Sequence, residues 1–214
     1  LSKGELESLV KTTINTFDNT NLTNFDSIFR HSNLTKTIDE ADSSILSNTT
    51  NIRLKKGLPV KPTQLLSYTV NMGNGLYNPT SGYNDSLGGI TSTTGFYALG
   101  DATNVQFFDD DGKGVLRRYR LSGSTRIYVD SVAGTVNYST GLISINSISI
   151  TSTVNADSTI DFTLIPSGSD VVATRGILVD ISADDISVKG EVDTIASGES
   201  SAGVGYSSTS SSTY

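Results

Sequence analysis

Apolar positions along the chain change period twice, dividing it into a helical front, a strand-rich body and a polar end. Leu6, Leu9, Val10, Ile14 and Phe17 recur at the three-and-four spacing that gathers side chains on one face of a helix. That helix is predicted from about Ser2 to Phe17, and Ser2 with Glu5 three residues later fits a capping box. A polar link rich in Asn and Thr leads to an apolar knot at Phe25, Ile28 and Phe29. Leu34, Ile38, Ala41 and Ile45 then repeat helix spacing, with Ser32 or Asn33 placed to cap.

From Asn48 the period shortens to two. Ile52 and Leu54 alternate with Arg53 and Lys55 until Pro59 and Pro62 interrupt. Leu66, Tyr68, Val70 and Met72 alternate with small polar residues, which predicts a strand. Residues 73–95 carry Asn74-Gly75, Asn78-Pro79, Ser81-Gly82 and Gly88-Gly89 and read as a long surface loop. Short strands are expected near 96–99, 105–108, 115–121 and 126–129. A hairpin joins 135–138 to 142–150 through Ser139-Thr140-Gly141, with Gly141 at the left-handed turn position. The alternation slips at Asn146-Ser147, where a bulge is expected.

Ile160, Phe162 and Leu164 alternate with Asp161 and Thr163, and Pro166-Ser167-Gly168 ends that run. A second apolar run, 176–181, follows and reads as a strand. The fold class predicted is α+β, predominantly β: N-terminal helices followed by short-stranded antiparallel sheets. Its segments are a helical 1–47, a β-rich body 48–195 and a polar Ser/Thr-rich tail 196–214. A tail of this composition buries too little apolar surface to offset its ordering entropy, so a partner is expected to hold it. The candidate self-association residues are Ile177, Val179 and Ile181 of the apolar run, with Tyr206 and Tyr214 of the tail.

Charge removes one class of partner. The chain has 214 residues, a formal net charge of −7 and a pI near 4.6, which repels phosphate backbones. The basic run Arg117-Arg118-Tyr119-Arg120 lies in strand-like sequence, where alternation splits its charges between two faces. No nucleic-acid partner is expected. No apolar run reaches the roughly 18 residues of a membrane span, and no membrane partner is expected either. The chain has no cysteine, hence neither disulfide nor thiolate chemistry. Its start at Leu1 reads as a processed form or a fragment.

Reactive groups are sparse. His31 is the lone histidine and lacks the nearby nucleophile and carboxylate of a general base, so a capping or surface role is expected. Asp109-Asp110-Asp111-Gly112-Lys113-Gly114 looks like a calcium loop until Gly112 is set at its sixth position. Phe107 then stands first without a side-chain oxygen and Arg118 twelfth as a cation, so a hairpin turn is the better reading. Asp184 and Asp185, with Glu191 and Asp193, flank Ile186 and Val188 in an expected strand and read as a solvated acidic face. Gly73-x-Gly75 and Gly88-Gly89 lack the rest of a phosphate loop. No catalytic residue, cofactor or metal site is expected, and the chain is read as a non-enzyme.

Several stretches together resemble the C-terminal part of the large baseplate wedge protein of T-even-like contractile-tailed bacteriophages, an inner-ring, baseplate J-like family. They are residues 13–47, with Asn24-Phe25-Asp26-Ser27-Ile28-Phe29-Arg30 and the helix 34–46, then Thr91-Ser92-Thr93-Thr94-Gly95-Phe96 and 134–143. Residues 180–187 and the tail around Tyr206 complete the set. The resemblance implies a structural virion protein of the tail baseplate. It implies a homodimer within a six-fold ring, two copies per wedge, contacting other baseplate wedge proteins, with no catalytic residue to carry over. Two other classes compete with it. The Tyr- and Asn-bearing loop 77–83 suggests a receptor- or carbohydrate-binding β module, and the acidic groups suggest a hydrolase.

Overall fold

A computed structural model of the chain describes residues 1–23, 25, 27–83, 92–173 and 178–192. Helix α1 (Lys3–Asn21) begins where the capping box places it. Ser2 Oγ accepts from the Glu5 N–H, and the Glu5 carboxylate accepts from the Ser2 N–H at 2.8 Å. Val10, Ile14 and Phe17 are its buried stripe. Strand β1 (Ile28–Phe29) occupies the expected apolar knot, and α2 (His31–Asp39) follows at once.

Two expectations about α2 need correcting. Ser32 and Asn33 lie inside the first turn, and the N-cap residue Arg30 makes no side-chain capping bond. A carboxylate from far along the chain takes that role: Asp170 Oδ1 accepts the His31 N–H at 3.0 Å. The helix also stops at Asp39, so Ala41 and Ile45 lie beyond it.

The body is antiparallel. Its strands are β2 (Leu54–Pro59), β3 (Leu65–Asn71), β4 (Ser92–Thr93), β5 (Phe96–Ala98), β6 (Asp101–Asp110), β7 (Val115–Ser122), β8 (Thr125–Asn137), β9 (Leu142–Thr153), β10 (Thr159–Leu164) and β11 (Val171–Val172). The largest sheet has the order β3-β9-β5-β6-β7-β8, and β8 pairs again with β9. That last pairing closes β5 to β9 into a small barrel, with β3 added along β9. A second sheet, β2-β10-β4, packs on the barrel, and β1 pairs with β11.

The predominantly β character matches the sequence reading, but the strands are not uniformly short. The separate strands expected at 126–129 and 135–138 are one strand of 13 residues, β8, and β9 runs for 12. A continuous β8 lets one strand pair with β7 along most of its length and with β9 at its end. The bulge falls where the alternation slips: Asn146 and Ser147 interrupt the β3–β9 register opposite Ser67. Gly141 adopts φ 71°, as its turn requires.

The two cores are distinct. One fills the barrel and the space under the second sheet. Phe96 stacks on Phe108 at 4.7 Å between ring centroids, and Phe108 stacks on Phe162 of β10 at 6.1 Å. The alternation of Ile160, Phe162 and Leu164 delivers all three into this core. The other core joins the helical front to the far end of the chain. Val10, Ile14, Phe17, Leu22, Phe29, Leu34 and Ile38 pack with Val171, and Val179, Ile181, Ile186 and Val188 lie against them.

Residues 178–181 are not in a strand, nor are Ile186 and Val188, contrary to both expectations. They belong to an extended strap running antiparallel to α1. Asp18 Oδ1 accepts the Ile181 N–H at 2.9 Å, and Glu7 Oε1 accepts the Gly190 N–H at 2.8 Å. A helix side supplies no ladder of backbone partners, so the strap's apolar residues follow the groove beside α1 instead of a strand period.

Candidate interaction surface

Hairpin β6–β7 sets the chemistry of the most highly built part of the surface. Its turn is the stretch read as calcium-like, with Gly112 and Gly114 at φ 73° and 104°. Asp109 and Asp110 lie in β6, before the turn, and strand alternation sends them to opposite faces. The Asp110 carboxylate accepts from the Tyr138 hydroxyl and from the Gly112 N–H. Asp109 looks the other way. Among the described residues no group of three or more His, Cys, Asp or Glu side chains is arranged to hold a metal ion.

Asp109 is fully buried and joins three strands. Its Oδ1 accepts from Arg117 Nε at 3.1 Å, and its Oδ2 accepts from Arg126 Nη1 at 3.0 Å and Tyr128 OH at 2.9 Å. Each guanidinium also covers a ring: Arg117 lies 4.5 Å from the Tyr128 centroid and Arg126 4.8 Å from that of Tyr119. Phe107 stacks on Tyr119 from the β6 side. Burial pushes the Asp109 carboxyl upward, against the Tyr128 hydrogen bond and the two guanidinium charges. Burial also raises the Tyr119 phenol, and raises Tyr128 together with its bond to Asp109. Tyr138 rises furthest, through burial first and the Asp110 carboxylate second.

The sequence held a signal for this cluster. Once the turn is centred on Lys113, Asp109 falls opposite Arg117 across the hairpin. The expected split of the basic run is also visible. Arg117 and Tyr119 share the Asp109 face, whereas Arg118 turns to Gln106 Oε1 at 3.0 Å.

Other candidate residues sit in quieter places. His31 Nε2 is 2.9 Å from the Thr50 carbonyl, a tie between α2 and the following segment. Asp184 and Asp185 lie in a single 3-10 turn, Ala183–Asp185, and Asp185 pairs with Lys55 at 3.0 Å. Glu191 pairs with Lys189, and Asp193 lies outside the described residues. Tyr77 and Tyr83 are exposed and meet edge to face at 5.8 Å, so they present no common flat platform. Val179 and Ile181 are half-buried against the helical core, while Ile177, Tyr206 and Tyr214 lie outside the described residues.

Residues 1–57 match the family described as baseplate structural protein gp6, C-terminal domain III. The match takes in α1, β1, α2 and the start of β2, and so most of the helical core. It includes the first of the resembling stretches, 13–47, while the later ones lie beyond it. No curated protein matches the chain significantly. The match over the helical front supports a structural part of a phage, located in the virion at the tail baseplate.

Proposed function

We propose that the chain is a structural subunit of a contractile tail baseplate that associates with copies of itself to build the inner ring linking the wedges. The observation that carries this reading is the family match over residues 1–57, because it takes in most of one packing unit, the helical core. The same unit takes in 171–188 through β11 and the strap. In the barrel the buried Asp109 carboxylate is satisfied by its two arginines and Tyr128, an arrangement suited to a rigid part. In this reading the run around Val179 and Ile181 and the tail with Tyr206 and Tyr214 contribute to contact between copies, and other wedge proteins cover the rest.

Light scattering of the chain across a dilution series tests the proposal. A dimer that persists on dilution is the expected result. A monomer at every concentration contradicts self-association and favours the carbohydrate-binding alternative, which glycan binding by the loop around Tyr77 and Tyr83 would support.

A further inference from the structure

The β7–β8 hairpin continues beyond the last recorded β6 pairing, Gln106 with Arg120, and its end is exposed. Leu121 at that end, and Ile127, Tyr128 and Val129 at and behind the last β6 pairing, are 46%, 39%, 39% and 40% accessible. Beyond the strand pairs with β7, β8 meets β9 only from Gly134 to Asn137, so residues 125–133 keep an open edge among the described residues. Along it Asn146 donates to the Val132 carbonyl, and Asp130 accepts the Val132 N–H. Exposed strand edges are normally blunted by Lys, Pro or a bulge. This one has neither Lys nor Pro; its two register shifts against β7 fall beside Val129 and between Asp130 and Gly134, and 125–128 pairs without a shift.

Charge sets this arm apart from the rest of the molecule. Taken with Asp109 of β6 that anchors it, the arm sets Arg117, Arg118, Arg120 and Arg126 against Asp109 and Asp130, a local charge of +2 on a chain of −7, which leaves −9 elsewhere. Arg120 has no ion-pair partner among the described residues, and Arg126 stays partly exposed although bound to Asp109. The root of the arm is fixed by the Asp109 bonds to both strands, so little ordering is left to oppose binding. Exposed Tyr and Arg on a rigid mount are the residue types that dominate interface energetics.

We infer that the β7–β8 arm is a docking element that meets the acidic body of a second copy of this chain, head to tail. Two arms laid edge to edge would set like charges together, whereas an arm on the body of the next copy sets +2 against −9. A head-to-tail contact uses two different patches and generates a ring when its rotation closes. This inference rests on the self-association proposed above and assigns it a surface.

Sedimentation equilibrium of the whole chain, unaltered and as Arg120→Glu and Ile127→Asp, tests it in low and high salt. Both positions are on the exposed arm and outside the Asp109 cluster, and circular dichroism checks that each variant is folded. The expected result is association that weakens with added salt, and weakens about ten-fold or more in each variant. Association unchanged by both substitutions, or strengthened by salt, overturns the arm assignment and leaves self-association standing. A monomeric unaltered chain at every concentration overturns both.

Discussion

Asp109 and Asp110 are chain neighbours that serve two different networks. Asp109 holds Arg117 at 3.1 Å on the outside of the barrel wall, while Asp110 takes the Tyr138 hydroxyl on the other side. Three consecutive acids that look like one metal loop are thereby divided by the pleat of β6 into separate structural anchors.

Replacing Asp109 by Asn leaves the Arg117 and Arg126 guanidiniums without their anion, and the Arg117 side chain is only 10% exposed. Breaking a buried charge pair from one side costs about 3–5 kcal/mol. Urea unfolding should show a loss of that size. The double change Asp109→Leu with Arg117→Met should cost less than the single one, because the buried charge is removed along with its partner. Equal losses would mean that the packing of these side chains matters, and their charge does not.

Alkaline pH should unfold the protein through its tyrosines. Tyr119, Tyr128 and Tyr138 all hold their protons more tightly folded than the ordinary phenol value of about 10. The folded state therefore keeps protons that the unfolded chain releases, so this contribution is level below about pH 10 and falls as pH rises above it. Absorbance of tyrosinate with circular dichroism should show these phenols ionising only as the fold is lost, and Tyr138→Phe should reduce the linked proton release. Free titration of all nine tyrosines near pH 10 in a folded protein would count against the buried networks.

Gly134 closes the barrel seam. A Cβ there would stand 2.0 Å from the Ser144 carbonyl oxygen of the paired strand. Gly134→Ala should cost at least about 1–3 kcal/mol and speed amide exchange along the β8–β9 pairing. Gly4 of α1 is the control, since its Cβ would meet nothing within 4 Å, and Gly4→Ala should stabilise by about 0.5 kcal/mol.

The strap should loosen without unfolding the barrel. Asp18→Ala with Glu7→Ala removes the acceptors of the Ile181 and Gly190 N–H groups, at a net cost of about 1–2 kcal/mol together. Hydrogen exchange should rise across 178–192 and stay slow in β9. Unchanged protection of the strap would show that Val179, Ile181, Ile186 and Val188 hold it by apolar packing alone.

Periodic features were legible in the sequence. The capping box at Ser2 and Glu5, the alternation at Ile160, Phe162 and Leu164, the turn at Gly141 and the bulge at Asn146 and Ser147 all rest on neighbours within a few residues. Features that depend on remote partners were not. Nothing near His31 announces that Asp170 caps α2, and nothing in 178–192 announces a helix as its support. The arginine cluster lies between these extremes, because the Asp109–Arg117 pairing follows from the turn but the Arg126 and Tyr128 bonds need the register of β8.

Gold-labelled antibodies against the chain, applied to purified virions of a phage that encodes it, test the baseplate assignment most directly. Label at the distal end of the tail is the predicted result. Label on the head or along the tail shaft, or none on virions opened to expose the baseplate interior, would contradict it.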